Sequence, residues 1–158
     1  MSAVYPVVTM AEFIDDEILE MAVAREVDAN RFYLALAARA ENPRIKKIFE
    51  KLAAEELEHK AKIELEIMKT GRVVKDDQTS AGFHEKQPNY GPTVINMSYK
   101  DILLMGIQKE EASIRLYADM AEMTSDAHSK EILIALAQEE AGHKQQFQEV
   151  LDFISRIA

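Results

Sequence analysis

Cysteine and tryptophan are absent from this chain of 158 residues, and glycine (5) and proline (4) are scarce. Without cysteine there is no disulfide, no thiolate zinc site, no iron–sulfur cluster and no four-cysteine iron site. No apolar run approaches the ~20 residues needed to span a membrane. Met1 to Met10 lacks a basic stretch followed by a long apolar one, so no secretory leader is expected and the cytoplasm is the expected location. Positive charge is also in short supply. Lys and Arg total 19 against 28 Asp and Glu, a formal net charge of −9. That balance argues against nucleic acid and against an anionic membrane surface as partners.

What is present is a repeat. Adding 84 to a residue number carries Ile18, Leu19 and Met21 onto Ile102, Leu103 and Met105. It carries Glu26, Arg31 and Tyr33 onto Glu110, Arg115 and Tyr117. Leu52, Ala53, Glu55, Glu56, His59 and Lys60 map onto Leu136, Ala137, Glu139, Glu140, His143 and Lys144. Each half therefore holds one Glu and, 30 residues later, the first residue of a Glu-x-x-His. On a helix, residues three apart share a face, so a carboxylate and an imidazole at that spacing can bind one cation. One such motif means little; two at matching places in a repeat carry weight.

Along the chain, Thr9-Met10-Ala11-Glu12 has capping-box spacing and starts a helix running to about 41. Asn42-Pro43 caps and opens a second, to about 69, ending before Gly71. Its apolar stripe (Ile45, Ile48, Leu52, Ile63, Ile67) is interrupted by Glu56 and His59, which therefore point at the core. Residues 71–96 hold five of the nine Gly and Pro and show no sustained period, so they read as a long crossover. Ser98-x-x-Asp101 opens a third helix, to about 123, and Thr124-Ser125-Asp126 a fourth, 126–157. Glu140 and His143 again interrupt an apolar stripe. The expected architecture is all-α: a four-helix bundle of two repeated hairpins joined by a long crossover.

Four Glu converging in a bundle core repel one another unless cations compensate them. Two divalent ions supply four positive charges against four negative. In this reading Glu56 and Glu140 bridge the ions, Glu26 and His59 complete one shell, and Glu110 and His143 the other. Such ligands suit iron or manganese, and zinc can also occupy the site. Ala22, Ala29, Gly106 and Ser113 leave room beside the metals. Tyr33 and Tyr117 can donate hydrogen bonds to carboxylates on facing helices. Glu55 and Glu139, four residues before His59 and His143, are candidates for orienting those imidazoles. Glu111 is the rival to Glu110 if the register slips by one. His84 and His128 have no histidine partner in the repeat and read as surface residues.

Glu26-Val-Asp-Ala-Asn-Arg-Phe-Tyr33, Glu56-Leu-Glu-His59, Glu110 with Tyr117, and Glu140-Ala-Gly-His143 resemble the rubrerythrin branch of the ferritin-like diiron superfamily. The resemblance covers about residues 10–155 and implies one ferritin-like diiron domain over 1–158. It implies two iron ions, reaction with peroxide or O₂, an external electron-donor protein, and a homodimer or higher homo-oligomer. The chain departs from that branch in two ways. It has no cysteine for a rubredoxin domain, and Ser113 stands where rubrerythrins carry a further ligand Glu, one turn after Glu110. What remains is a four-Glu, two-His set closer to a ferroxidase centre. Two other expectations stand beside the peroxidase or ferroxidase: ferritin-like iron storage, and a metal-stabilised bundle without turnover.

Overall fold

Asn42-Pro43 breaks the first long helical stretch for two reasons. Proline disfavours helical geometry in the residue before it, and its own fixed φ suits the first position of a new helix. In the computed structural model, which describes residues 10–69 and 98–157, α1 spans Met10–Arg39 and α2 spans Pro43–Lys69. The Asn42 side chain accepts the Arg44 N–H at 2.9 Å and so caps α2. α1 stops two residues before the expected 41, where the Ala40 N–H turns back to the Ala37 carbonyl at 3.2 Å.

α3 spans Tyr99–Met123 and α4 spans Ala127–Ile157. The Ser98 hydroxyl accepts the Asp101 N–H at 3.1 Å, as the capping spacing requires. Asp126 caps α4 by accepting the Ser129 N–H at 2.9 Å and its hydroxyl at 2.8 Å. The turn between α3 and α4 is also held from outside. Asp15 of α1 accepts from the Thr124 hydroxyl (2.7 Å), the Ser125 N–H (3.0 Å) and the Ser125 hydroxyl (2.6 Å).

The helices pair as two hairpins, α1 with α2 and α3 with α4, and the hairpins pack α1 against α3 and α2 against α4. Two apolar cores fill the bundle. One gathers Phe32, Leu36, Ile45, Phe49, Leu52, Ile102, Leu103, Phe147 and Val150. The other gathers Ile18, Leu19, Ile63, Ile67, Tyr117, Met120, Leu133 and Leu136. Every helix contributes to both, so each crosses a waist between them. α2 ends in the second core and α3 begins in the first, at opposite ends of the bundle. The crossover expected at 71–96 lies outside the described residues. No described helix is long and apolar enough to cross a membrane.

Gly106 does not have the role expected of it. Rather than leaving room at the waist, it makes room for Phe147, whose ring Cζ would lie 2.8 Å from a Cβ built there. That ring is fully buried and packs on Phe49 (centroids 5.3 Å apart) and Tyr33 (5.6 Å), so it cannot yield freely. Gly106→Ala gains helix propensity but overpacks this contact, and overpacking wins. A net loss of about 1–2 kcal/mol in chemical denaturation is expected; a gain would mean the ring has somewhere to go.

Candidate metal centre

The waist is where the six repeated Glu and His arrive. Glu26 comes from α1, Glu56 and His59 from α2, Glu110 from α3, and Glu140 and His143 from α4. All are buried, none above 4 % exposed. Glu111, the rival, pairs instead with Lys144 at 3.1 Å and keeps 41 % of its side chain exposed.

Donor atoms of Glu26, Glu56, His59 and Glu140 lie within 4.8 Å of one another, and so do those of Glu110, Glu140 and His143. Glu140 belongs to both groups. Glu56 joins the second half through a contact of 2.8 Å from its Oε1 to His143 Nδ1. His59 Nδ1 faces Glu26 Oε2 at 3.5 Å, Glu140 Oε1 at 3.6 Å and Glu56 Oε1 at 3.9 Å. The two imidazoles lie nearly parallel, 5.8 Å apart with 11° between planes. Each thus presents Nδ1 to the cluster.

Each Nε2 points the other way, to a carboxylate of the opposite hairpin. His143 Nε2 meets Glu55 Oε2 at 2.9 Å, and His59 Nε2 meets Glu139 Oε2. The pairing is crossed with respect to the chain: neither Glu touches the His four residues after it. Helix spacing gave the right residues and the wrong partners, because i, i+4 proximity on one helix lost to contact across α2 and α4. Such a carboxylate fixes the tautomer and turns the ring, leaving Nδ1 free for a cation.

The tyrosines differ. Tyr117 donates to Glu26 Oε1 at 2.5 Å, from α3 back to α1. Tyr33 packs edge-on against His143 (6.0 Å, 85°), and its hydroxyl has no hydrogen-bond partner among the described residues. Ser113 accepts two hydrogen bonds from Arg25, at 2.9 and 2.7 Å. Arg25 was missed in the sequence, although adding 84 pairs it with Lys109 and puts a basic residue before each waist Glu. His128 is 54 % exposed, as a surface residue should be, yet its Nε2 reaches the buried Glu66 at 3.3 Å. His84 lies outside the described residues.

Seven nitrogen and oxygen atoms of the cluster are buried with no hydrogen-bond partner: Glu26 Oε2, both oxygens of Glu56, Glu110 Oε2, Glu140 Oε1 and Nδ1 of both histidines. Native proteins leave few such atoms. A set of carboxylate oxygens and imidazole nitrogens crowded this way fits cations, which would satisfy all of them at once.

Electrostatics says the same. Burial, reinforced by Glu26 and Glu140, pushes the Glu56 carboxyl up to about 12. Burial, with Glu140 beside it, pushes Glu110 up to about 11. Burial would raise Glu140 too, but its neighbours His143, His59 and Glu110 hold it well below the usual range. Burial works against protonation of His59 and is outweighed by Glu140 and Glu26, which lift it to about 10. His143 is lifted to about 9 against burial, by Glu140 and then Glu110. Burial and crowding thus favour protons on Glu56, Glu110, His59 and His143 in the metal-free cluster.

Fold and cluster together define a ferritin-like helical bundle with a buried carboxylate–imidazole site. The sequence pattern of the rubrerythrin family matches residues 17–151, and the chain belongs to that family. Comparison with curated proteins returned no match. Among solved structures, the chain is similar to a bacterioferritin-related protein of Bacteroides fragilis, described as a dodecameric thioferritin. The TM-score is 0.74 and the identity 23 %, covering 93 % of this chain and 89 % of that one. It is also similar to a hypothetical protein of Pyrococcus furiosus, at a TM-score of 0.68 and 21 % identity, covering 94 % of both chains. The family and the buried cluster together indicate a metal site.

The raised groups set a pH dependence. A group whose pKa is higher folded than unfolded stabilises fully below the unfolded value and loses that contribution as pH rises through the folded one. For Glu56 and Glu110 the loss begins above 4.5, and for His59 and His143 above 6.5. Metal-free protein is therefore expected to melt at a lower temperature at pH 8.5 than at pH 6. Zinc should remove the difference, because the bound ion replaces the protons. Thermal melts with chelator and with zinc check this; a chelated protein that gains stability with pH would contradict it.

Proposed function

We propose that the chain holds two iron ions at its waist and uses them to reduce peroxide to water, or O₂ to peroxide. The observation that carries this is the set of seven buried, unpartnered donor atoms on six residues, contributed by all four helices. Two ferrous ions bound there would supply two electrons, which with two protons cleave hydrogen peroxide to two waters. Glu140, which belongs to both donor groups, and Glu56 would be shared between the ions. Glu26 with His59, and Glu110 with His143, serve one ion each.

The remaining residues act on these six. Glu139 and Glu55 accept from Nε2 of His59 and His143 and so aim each Nδ1 inward. Tyr117 holds Glu26 in place and shields a charge that would otherwise face the apolar core. The two apolar cores above and below the waist limit the water around the site, which strengthens every interaction inside it. Carboxylate-rich shells accept iron, manganese or zinc, and the redox reading requires iron. Re-reduction draws on a separate electron-donor protein. A homo-oligomer is part of the proposal, by likeness to the dodecameric Bacteroides protein, and so is a cytoplasmic location.

That same likeness favours a second reading, iron storage within a shell. Iron per chain separates the two. Loading with excess ferrous iron in air should give about two irons per chain, matching the two donor groups, and many irons would favour storage; protein loaded anaerobically serves for kinetics. Stopped-flow peroxide consumption by the loaded protein should be abolished by Glu56→Ala, and Glu139→Gln should weaken iron binding by about 10- to 100-fold. Peroxide consumption no faster than in Glu56→Ala would end the enzymatic reading.

A further inference from the structure

Among the described residues, Glu66 is the one buried carboxylate outside the waist. It stands on α2 two turns beyond His59, about 10 Å along the axis. Ile63 and Ile67, on either side of it in the chain, belong to the second apolar core. Adding 84 carries Glu66 onto Val150, which is equally buried at 4 % exposed. The repeat fills this position with an apolar side chain, so packing does not call for a carboxylate here.

His128 of α4 is its neighbour. His128 Nε2 lies 3.3 Å from Glu66 Oε2, yet that oxygen is buried and makes no hydrogen bond. The imidazole supplies charge only when protonated, and a buried carboxylate without a bonded, compensating charge is costly. The separation fits a different arrangement. Bonds of about 2.0–2.1 Å to a tetrahedral zinc ion set two ligand atoms about 3.3–3.4 Å apart. The far side of the ring fits as well: Nδ1 faces Glu131 Oε2 at 3.8 Å, one turn along α4. One nitrogen thus meets a buried carboxylate and the other an outer one, as in both imidazoles of the waist, where the outer Glu turns the ring. The His128 side chain is 54 % exposed, which leaves that side open for waters to complete a shell. The repeat equivalents at the other end of the bundle are Val150, Arg44 and Lys47, none of which suits a cation.

We propose that Glu66 and His128 form a second, mononuclear cation site between α2 and α4, with Glu131 holding the His128 ring. An imidazole beside a carboxylate suits zinc and its neighbours among the transition metals rather than magnesium or calcium. Two protein ligands, fewer than structural or catalytic zinc sites use, make it weaker and more exchangeable than the waist. It rests on neither the waist metals nor the function proposed above.

Zinc is the probe. Isotope-labelled protein, its waist first supplied with two equivalents of zinc, is titrated with more, and the imidazole nitrogens are followed by nuclear magnetic resonance. A third equivalent is expected to shift His128 Nε2 saturably while Nδ1 keeps its proton. Glu66→Gln keeps the shape and removes the charge; it should weaken the third zinc by at least about tenfold, the loss that follows even from removing an outer partner of a ligand. His128→Ala should abolish it. Both should leave the two waist equivalents bound. If Glu66→Gln does not fold, Glu66→Val, which places the repeat's own residue there, carries the same expectation. A His128 ring indifferent to zinc would overturn the site and leave a plain ion pair. A third zinc bound equally well by the folded Glu66 variants would overturn it too, as adventitious binding to an exposed imidazole. Magnesium displacing zinc at equal concentration would overturn the class of cation. Were the waist to take no zinc, the His128 shift would come with the first equivalent, so failure of the waist and failure of this site are told apart.

Discussion

Four carboxylates and two imidazoles buried between two apolar cores must be compensated, and the rest of this structure depends on how. In a low-dielectric interior each uncompensated charge is costly, and half-satisfied polar clusters are worse than none. The cluster has two ways to reach neutrality. It can take up four protons, as the raised Glu56, Glu110, His59 and His143 imply. Or it can take up two divalent cations, which supply the same four charges and also satisfy oxygens and nitrogens that protons leave without partners. The second, as proposed, satisfies more of the cluster and would account for acidic residues where leucine would pack more cheaply.

The repeat makes the site nearly symmetric and leaves one telling asymmetry. Crossed contacts, His59 to Glu139 and His143 to Glu55, stitch α2 to α4 at the waist, so orienting the imidazoles and joining the hairpins are one act. On the other side of the bundle the equivalence fails. Tyr117 is bonded to Glu26, but its counterpart Tyr33 leaves its hydroxyl without a hydrogen-bond partner among the described residues.

Much of this was legible in the sequence because helices report their own faces. Interrupted apolar stripes placed Glu56, His59, Glu140 and His143 inward, and the offset of 84 supplied Glu26 and Glu110; the structure brings all six together. Capping signals put helix boundaries within about two residues, at Asn42, Ser98 and Asp126. What periodicity cannot report is which residue of another helix a side chain meets. The crossed Glu55 and Glu139 contacts, the fit of Phe147 against Gly106 and the seat of Arg25 on Ser113 all depend on interhelical register. Arg25 could have been found by extending the repeat one residue before each waist glutamate, where it aligns with Lys109.

The central claim is that cations replace protons at the waist, and counting protons tests it most directly. Metal-free protein at pH 7, in dilute unbuffered salt, is titrated with zinc while a pH-stat records the base consumed. Release of about four protons per chain, complete at about two zinc ions, is expected from the four raised groups. Zinc binding with no proton release would contradict it, because the ions would then lie somewhere other than among these carboxylates and imidazoles.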